Sequence, residues 1–321
     1  MNIKFESLND KYIDEAMDIV LSLYNKEKEA VSFLPQERGF LNNLKESLEK
    51  LFKHGKGIVA IYNNKLIGFI AGYEIDECFG KCKGIYTPLY GHGVRSEYPK
   101  SLYQKLYKHM SDKWVKNNFM THAITFFAHD KETIDIWFWM GFGLRCVDAM
   151  REVKPIDVKS RDITIHKAKL SDIPDIAYLE GKLTKHLNQS PLFMPRRNED
   201  PTKNLTEWHK NKDNHLWIAY RDKKPLGYMK IQPNAETFIS EHKDVMNITG
   251  AFVLDDKRKS GIGTLLLGEI QQWLKKNHYS LCGVDFESFN IVGSSFWNKY
   301  FTPYTYSVVR RIDERIGDLY G

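Results

Sequence analysis

The sequence predicts an α+β protein made of two similar halves, each a mixed, mostly antiparallel sheet flanked by helices. Two observations lead to this prediction. The same order of elements (strand, helices, meander of strands, helix, strand, helix, strand) recurs at a shift of about 160 residues in the chain of 321. Within each half, short apolar runs between turn residues are mixed with longer stretches of helical periodicity, which is typical of helices packed on a sheet.

Each half begins with a short strand and an amphipathic helix. Residues 3–5 precede a helical stretch at 12–16, and residues 163–165 precede one at 173–177. Asp172 is well placed at the start of the second helix, because a carboxylate there accepts hydrogen bonds from the free N–H groups of the first turn. A strand and a helix therefore open both halves.

A β-hairpin follows in each half. Apolar, aromatic-rich runs flank the polar turn residues 63–65 in the first half and 221–224 in the second, which is the pattern that a hairpin requires. The aromatic segments 138–142 and 296–301 close the two copies. The repeat therefore covers nearly the whole chain.

The polar stretch 154–162 is the natural linker, so the predicted domains are residues 1–154 and residues 163–321. A second irregular segment, 189–198, follows the first helix of the second half. Long loops in compact domains often cover or line a binding site. This segment is therefore a candidate binding loop.

Composition excludes several classes of protein. Hydrophobic residues make up 42% of the chain, which is enough to form real cores and argues against disorder. The net charge of +6 is spread over both halves without a basic block, so we expect no nucleic-acid partner. The start of the chain lacks a secretory pattern, and no apolar run approaches the ~20 residues of a membrane-spanning helix. We expect a cytoplasmic protein that has no contact with a membrane.

The sequence also argues against a metal site. The cysteines are too few and too scattered for a disulfide framework, and we expect all four to be reduced thiols. They are Cys78, Cys82, Cys146 and Cys282. Three histidines of the first half lack a carboxylate or histidine partner at ligand spacing. They are His92, His122 and His129.

The strongest chemical signal is a basic, glycine-containing turn between a strand and a helix, at residues 255–264. Gly261 and Gly263 carry no Cβ, so the backbone turns tightly and approaches a ligand closely. The free N–H groups at the helix start, together with the helix dipole, then face an anion. Arg258 and Lys259 add positive charge at the same place. This arrangement suits a pyrophosphate.

The spacing of the glycines excludes two other phosphate-binding motifs. A dinucleotide fingerprint requires a third glycine at position 266, where this chain has Leu266. A P-loop counted from Gly263 requires lysine at position 269, where this chain has Glu269. The remaining alternative is a glycine-rich turn that binds nothing.

The pattern Val253-x-x-x-x-Arg258-x-x-Gly261-x-Gly263-x-x-Leu266 resembles the acyl-CoA signature of the GCN5-related N-acetyltransferase (GNAT) superfamily. The order of elements resembles that superfamily across residues 163–312, and the first half resembles it too. The chain is thus similar to a tandem-domain bacterial member, and the resemblance implies acetyl-CoA as co-substrate.

The resemblance also implies which residues hold acetyl-CoA. The backbone of Phe252 and Val253 would bind the pantetheine arm. The pyrophosphate would be held by residues 258–264, which we call the cradle: Arg258, Lys259, Ser260, Gly261, Ile262, Gly263 and Thr264. Asn290 stands at the place of the family's CoA-contacting asparagine. Asparagine is also a favoured helix N-cap, and both roles can hold together.

Acetyl transfer to an amine needs a general base near the nucleophile, while backbone N–H groups of the central strand can stabilise the oxyanion. In some family members a carboxylate at the place of Asp285 serves as the base. Asp285 and Glu287 face one side of their strand, which is equally the pattern of an ordinary strand with a solvated face. The alternation fits a catalytic base and a solvated carboxylate equally well.

The sequence departs from the family at the general acid. The family's usual tyrosine is Trp297 here, and tryptophan cannot deliver a usable proton. Tyr300, Tyr304 and Tyr306 are nearby phenols, of which Tyr300 is the candidate acid. A thiolate can also take its proton from water.

The first half resembles a copy that has lost the cofactor site. Its equivalent turn, residues 88–99, has no Arg-x-x-Gly-x-Gly, and Glu97 would repel a pyrophosphate. We expect this half to pack against the second and to shape the acceptor site.

Together these features predict an acetyl-CoA-dependent N-acetyltransferase that is active in its C-terminal domain. Transfer would be direct, in a ternary complex, to the amine of a small molecule, and the protein would be a monomer or a homodimer. Segment 192–195, with Trp208 and His209, is expected to line the acceptor pocket. One alternative is a catalytically silent acyl-CoA-binding sensor or interaction protein. Another is a Fem-type aminoacyl transferase, which would need a transfer-RNA affinity that the evenly spread charge does not support.

Overall fold

A computed structural model describes residues 2–158, 162–196 and 200–319. Contacts divide the chain into two compact units, one formed by Met1–Asp148 with Thr302–Gly321 and one by Ala149–Phe301. The domain boundaries at 1–154 and 163–321 follow the sequence repeat and stay a prediction. Residues 159–161 of the expected linker and residues 197–198 of the expected binding loop lie outside the described residues.

The order of elements repeats as the sequence predicts. The first copy has the strands β1 Lys4–Ser7, β2 Lys56–Tyr62, β3 Lys65–Ile75, β4 Gly84–Thr87, β5 His92–Val94, β6 Thr121–Phe127 and β7 Gly143–Glu152. Its helices are α1 Ile13–Ala30, α2 Leu41–His54, α3 Leu102–Lys116 and α4 Lys131–Trp139. Short 3₁₀ turns connect several of these elements.

The second copy has the corresponding set. Its strands are β8 Thr164–Lys167, β9 His215–Arg221, β10 Lys224–Gln232, β11 Val245–Val253, β12 Leu281–Glu287 and β13 Thr302–Arg311. Its helices are α5 Ile173–Asn188, α6 Pro201–His209, α7 Ile262–Lys276 and α8 Ile291–Tyr300. One strand, β11, stands where the first copy has the separate strands β4 and β5.

In the first unit the strand order is β1-β2-β3-β4-β6-β13, and β5 pairs with β3. All these pairs are antiparallel except β4 with β6. The core lies between this sheet and the helices, with Tyr103, Trp114, Trp137 and Ile124 fully or almost fully buried. β13 comes from the end of the chain, yet it pairs with β6 from Thr305 to Arg311.

In the second unit the strand order is β12-β11-β10-β9-β8, and only β11 and β12 are parallel. Its core joins α5 to the sheet through Ile176, Leu179, Ile218 and Tyr228. Each unit is therefore a mixed, mostly antiparallel sheet flanked by helices, and the predicted fold class is confirmed.

Both predicted hairpins are present, and their turns have the same conformation. Asn63 and Asn64 in the first unit, and Asp222 and Lys223 in the second, have φ between 49° and 61°. Two consecutive residues with positive φ form the tight turn whose twist matches that of paired strands. Asp172 differs from expectation, because its carboxylate accepts the N–H of Lys169 at 2.8 Å and so caps the 3₁₀ turn that precedes α5.

Across residues 2–158, 162–196 and 200–319, no helix combines the length and the apolar character needed to cross a membrane. Within the same residues, no three His, Cys, Asp or Glu side chains are grouped as ligands for a metal ion. The four cysteines are thiols that form no disulfide bond with one another.

Candidate active site

Strand β11 separates from β12 halfway along its length. The two strands pair from Val245 and Leu281 as far as Ile248 and Val284, and both then continue. The other edge of β11 stays paired with β10 up to Val253. Residues 249–253 thus turn one backbone edge toward the gap that opens between the strands. An unpaired strand edge offers N–H and C=O groups to an extended ligand.

A β-bulge lies where the strands separate. Lys230 of β10 faces Gly250, but Ile231 faces Ile248, so Thr249 is the extra residue on β11. Bulges bend a strand and are common next to active sites. The hydroxyl of Thr249 is buried and has no hydrogen-bond partner among the described residues. A buried polar group without a partner at an open strand edge fits a ligand with amide groups, such as the pantetheine arm of CoA.

The cradle follows at the end of β11. Lys259 and Gly261 have φ of 62° and 87°, and α7 begins directly afterwards, at Ile262. The first backbone bond of the helix is donated by Leu265 to the carbonyl of Gly261, at 2.9 Å. The N–H groups of Ile262, Gly263 and Thr264 precede this bond and form the anion-binding end of the helix.

The two glycines of the cradle are required for different reasons. A Cβ on Gly261 would meet no atom within 4 Å, so glycine is needed there for its positive φ. A Cβ on Gly263 would lie 3.2 Å from the ring of Phe296. Gly263 therefore lets α8 pack against the first turn of α7, in addition to the close ligand approach expected from the sequence.

The positive charges of the cradle are partly compensated. Arg258 forms an ion pair with Asp255 at 2.7 Å, donates to the carbonyl of Val253 at 3.3 Å, and lies 5.5 Å above the ring of Phe252. Lys259 is exposed. Backbone N–H groups and Lys259, more than Arg258, are therefore available to an anion.

Helix α8 brings Tyr300 and Asn290 to this region. The hydroxyl of Tyr300 forms a 2.9 Å hydrogen bond with that of Thr264, in the first turn of α7. Asn290 is the N-cap of α8 and accepts the N–H of Gly293 at 3.2 Å. The N-cap role is thus present, and the contact of Asn290 with CoA stays a prediction. Trp297 is buried beside Phe296 and Phe301.

Asp285 lies in β12 just beyond the last residue paired with β11. Its neighbours Val284 and Phe286 are buried on the opposite face. Burial raises the pKa of Asp285 to about 6, and the negative charge of Glu236 acts in the same direction, while its own backbone N–H and Arg196 act against them. A carboxyl with this pKa is ionised at neutral pH and is a stronger base than an ordinary aspartate.

Three contacts on the α5 and α6 side were not found from the sequence. Lys230 forms a mostly buried ion pair with Glu180 at 3.2 Å, and its ammonium lies 5.6 Å from the ring centre of Trp208. Trp208 donates to Gln232 at 2.8 Å. The sequence signal that could have indicated the ion pair is a lysine, Lys230, between the apolar residues of a predicted strand. The expected pocket lining by 192–195, Trp208 and His209 stays a prediction.

The first unit fills the corresponding place with its own side chains. Its β4–β6 pairing also ends early, at Thr87 and Ile124, but His92 then bridges to the carbonyl of Thr125 at 2.9 Å. Lys100 forms an ion pair with Asp130 at 2.8 Å, with both side chains nearly buried. By element order, Lys100 and Asp130 stand where the second unit has Ser260 and Asn290.

Comparison with known proteins agrees with the fold. Residues 183–291 match the model of the acetyltransferase (GNAT) family. This stretch is similar to the GNAT family, whose fold supports acyl transfer. No curated protein sequence matches the chain.

Three solved structures illustrate the likeness. A GCN5-related N-acetyltransferase from Sphaerobacter thermophilus has TM-score 0.63 at 9% identity, covering 96% of this chain and 95% of the other. A tandem GNAT protein from the clavulanic acid biosynthesis pathway has TM-score 0.50 at 11% identity, covering 97% and 98%. The glucosamine N-acetyltransferase region of a fungal multi-domain β-N-acetylglucosaminidase has TM-score 0.58 at 13% identity, and the likeness covers 96% of this chain but 38% of that protein. At these identities the likeness shows the fold.

Proposed function

We propose that the protein is an acetyl-CoA-dependent N-acetyltransferase in which the second unit transfers an acetyl group directly to the amine of a small molecule. The main support is the continuous path formed by the open edge of β11, the orphaned hydroxyl of Thr249 and the cradle. Bound acetyl-CoA would supply an activated acetyl group. Phe252 and Val253 would hold the pantetheine arm, and residues 258–264 the pyrophosphate.

The chain's own groups account for the remaining chemistry. Backbone N–H groups on the open edge of β11 polarise the thioester carbonyl and stabilise the oxyanion. Asp285 removes the proton from the amine, directly or through one water molecule. Tyr300 is the proposed proton donor to the leaving thiolate, since its hydroxyl is held by Thr264 in the first turn of α7.

One alternative is favoured by a specific observation. Trp297 is buried at the place of the family's acidic tyrosine, and it has no acidic proton to donate. A protein that binds acyl-CoA but does not catalyse transfer would tolerate this residue. In that case replacing Asp285 would leave acetyl-CoA affinity unchanged, and no amine would be acetylated.

Calorimetric titration of acetyl-CoA into the full-length chain is the first test. We expect one site per chain, because the equivalent region of the first unit is filled by His92 and the Lys100–Asp130 pair. Amines, including the glucosamine used by the fungal relative, are then screened for release of free CoA thiol. Binding without transfer to any amine would favour the sensor, and absence of binding would refute both functions.

Two substitutions test the cradle and the proposed general base separately. Gly261→Val should abolish acetyl-CoA binding while the circular dichroism spectrum stays unchanged. Asp285→Asn should keep the affinity for acetyl-CoA and lower kcat by about 10²–10⁴-fold, the usual contribution of a general base. Equal acetyl-CoA affinity in wild type and Gly261→Val would contradict the cradle assignment.

A further inference from the structure

The connection between β10 and β11 is long for neighbouring antiparallel strands and is held by internal hydrogen bonds. It comprises residues 233–244, whereas hairpin loops usually have 2–5 residues. We call it the β10–β11 loop. Thr237 and Ser240 bind each other through side chains and backbone at 2.8–3.1 Å, and Phe238 and Ile239 are buried. The loop therefore has its own small core.

A buried asparagine fixes this loop to the sheet. Asn247 is 2% exposed, and its amide nitrogen donates to the carbonyls of Pro233 at 2.9 Å and Ser240 at 2.8 Å. Gly283 stands opposite Asn247 in the register of β11 with β12. A Cβ on Gly283 would clash with the amide oxygen of Asn247. The missing side chain of Gly283 leaves space for Asn247, and we call this space the Gly283 notch. Asn247 in turn holds both ends of the segment 233–240.

Asn234 and Glu236 are exposed within this fixed segment, and Glu236 is its charged residue. The loop is also linked to α6, since Gln232 donates to the carbonyl of Asn234 at 3.0 Å and accepts from Trp208. Gly283 and Asp285 are two residues apart in β12 and therefore face the same side of the strand. The side chain of Asn247 lies on that side, against Gly283, and holds the loop there, so the loop brings Glu236 to the side of the sheet that Asp285 faces. The negative charge of Glu236 accordingly helps to raise the pKa of Asp285. Among the residues that the structure describes, Arg196 after α5 also acts on Asp285, and Glu287 lies on the same face of β12.

We propose that Glu236, held in place by Asn247 and the Gly283 notch, binds the ammonium group of the acceptor beside Asp285. The acceptor class is therefore a basic aliphatic amine, which is cationic at neutral pH, rather than a weakly basic aromatic amine. This inference rests on the proposed function.

The proton balance follows from this arrangement. The acceptor enters as an ammonium ion and loses one proton to the carboxylate of Asp285. The neutral amine nitrogen then forms a C–N bond to the acetyl carbon as the C–S bond breaks. A second proton leaves the nitrogen, and the CoA thiolate is protonated. The net products are the amide, free CoA thiol and one proton.

The test compares Glu236→Gln with Glu241→Gln, a matched substitution in the same loop. The acceptors are 1,4-diaminobutane, glucosamine and lysine, with aniline as the weakly basic comparison. For the best aliphatic amine, Glu236→Gln should raise KM about tenfold with little change in kcat. It should also shift the acid limb of the kcat/KM profile to lower pH, because removing a neighbouring negative charge lowers the pKa of Asp285. Glu241→Gln should leave both quantities unchanged, and Glu236→Asp should restore part of the loss.

Gly283→Ala tests the notch without removing a charge. It should raise KM for the same amine in the same direction, while acetyl-CoA affinity by calorimetry stays at the wild-type value. Turnover of aniline as efficient as that of the aliphatic amines, or a Glu236→Gln variant with wild-type KM and pH profile, would overturn this inference and leave the acetyltransferase function standing. Absence of transfer to every amine would overturn both.

Discussion

Asp285 combines a chemical role with a cost in stability. Its carboxyl is mostly buried, and no salt bridge to another described residue compensates its charge. Its pKa of about 6 makes it a suitable base. An aspartate in the unfolded chain has a pKa of about 4, so folding makes the ionised form of Asp285 less favourable. Function and stability therefore oppose each other at this position.

The opposition predicts a pH-dependent effect of Asp285→Asn. The folded chain binds more protons between the two pKa values, so stability decreases as pH rises from about 4 to 6 and stays lower above that range. The asparagine variant lacks this loss, and its free energy of unfolding at pH 8 should exceed that of wild type by about 3 kcal/mol. At pH 4 the two proteins should be equally stable. Urea unfolding at both pH values measures this difference, and a gain of the same size at pH 4 would contradict it.

The two cradle glycines predict two different outcomes for alanine. Gly261→Ala meets open space but must adopt φ of 87°, so it should lower stability by about 1 kcal/mol and weaken acetyl-CoA binding. Gly263→Ala pushes against Phe296 and should cost about 1–3 kcal/mol. It should also disturb the Thr264–Tyr300 hydrogen bond. Thermal unfolding and calorimetry separate the two effects, and identical behaviour of the two variants would argue against these roles.

Residue types alone reveal part of this site. A glycine next to a helix start indicates a positive φ, and an asparagine before a helix indicates an N-cap, so Gly261 and Asn290 were predictable. The role of Asn247 was not, because its partners are the carbonyls of Pro233 and Ser240, which only the folded loop brings within reach. The effect of Glu236 on Asp285 depends on the same loop.

At the scale of elements, the two units use the same framework in opposite ways. In the second unit β11 and β12 separate and the gap between them is open to a ligand. In the first unit His92 and the Lys100–Asp130 pair cross the matching region. Burial alone would raise the pKa of Asp130, but Lys100 and Thr133 outweigh it and hold the pKa below its ordinary value. The ion pair is therefore maintained at neutral pH.

The Lys100–Asp130 pair predicts strong coupling between its members. Asp130→Asn alone leaves a nearly buried ammonium without a partner and should destabilise the first unit by about 3–5 kcal/mol. Lys100→Ser combined with Asp130→Asn, the residues of the second unit, should cost clearly less than the sum of the single changes. Hydrogen exchange of amides in α3 and β6 provides the measurement. Additive losses would mean that the two side chains do not stabilise each other.

The sequence repeat predicted the elements of both copies, but it did not predict which strand pairs with the last strand, β13. β13 has the length and position of a closing strand for the second copy, and nothing in its composition distinguishes the two sheets. Its pairing with β6 depends on contacts such as the 2.7 Å hydrogen bond between Thr125 and Ser307. Local patterns decide where strands form, whereas pairing between distant segments depends on the whole molecule.

This pairing predicts which unit suffers from a shortened chain. A chain that ends at Phe301 should expose the edge of β6, and its amides should lose protection from hydrogen exchange. Amides of β10 and α7, in the second unit, should keep their protection. The full-length chain is the control. Loss of protection confined to the second unit would contradict the assignment of β13 to the first.

The long separation of β6 and β13 also affects the order of events during synthesis. Residues 302–311 leave the ribosome only after residues 149–301 have been made, so the early strands of the first unit wait with one edge of β6 uncovered. Domains generally fold from the N-terminal end as they emerge. Here the second unit is complete in sequence before the first, so the later-made part of the chain reaches its native sheet earlier. Because uncovered strand edges promote aggregation, this interval is the one in which the nascent chain most needs protection.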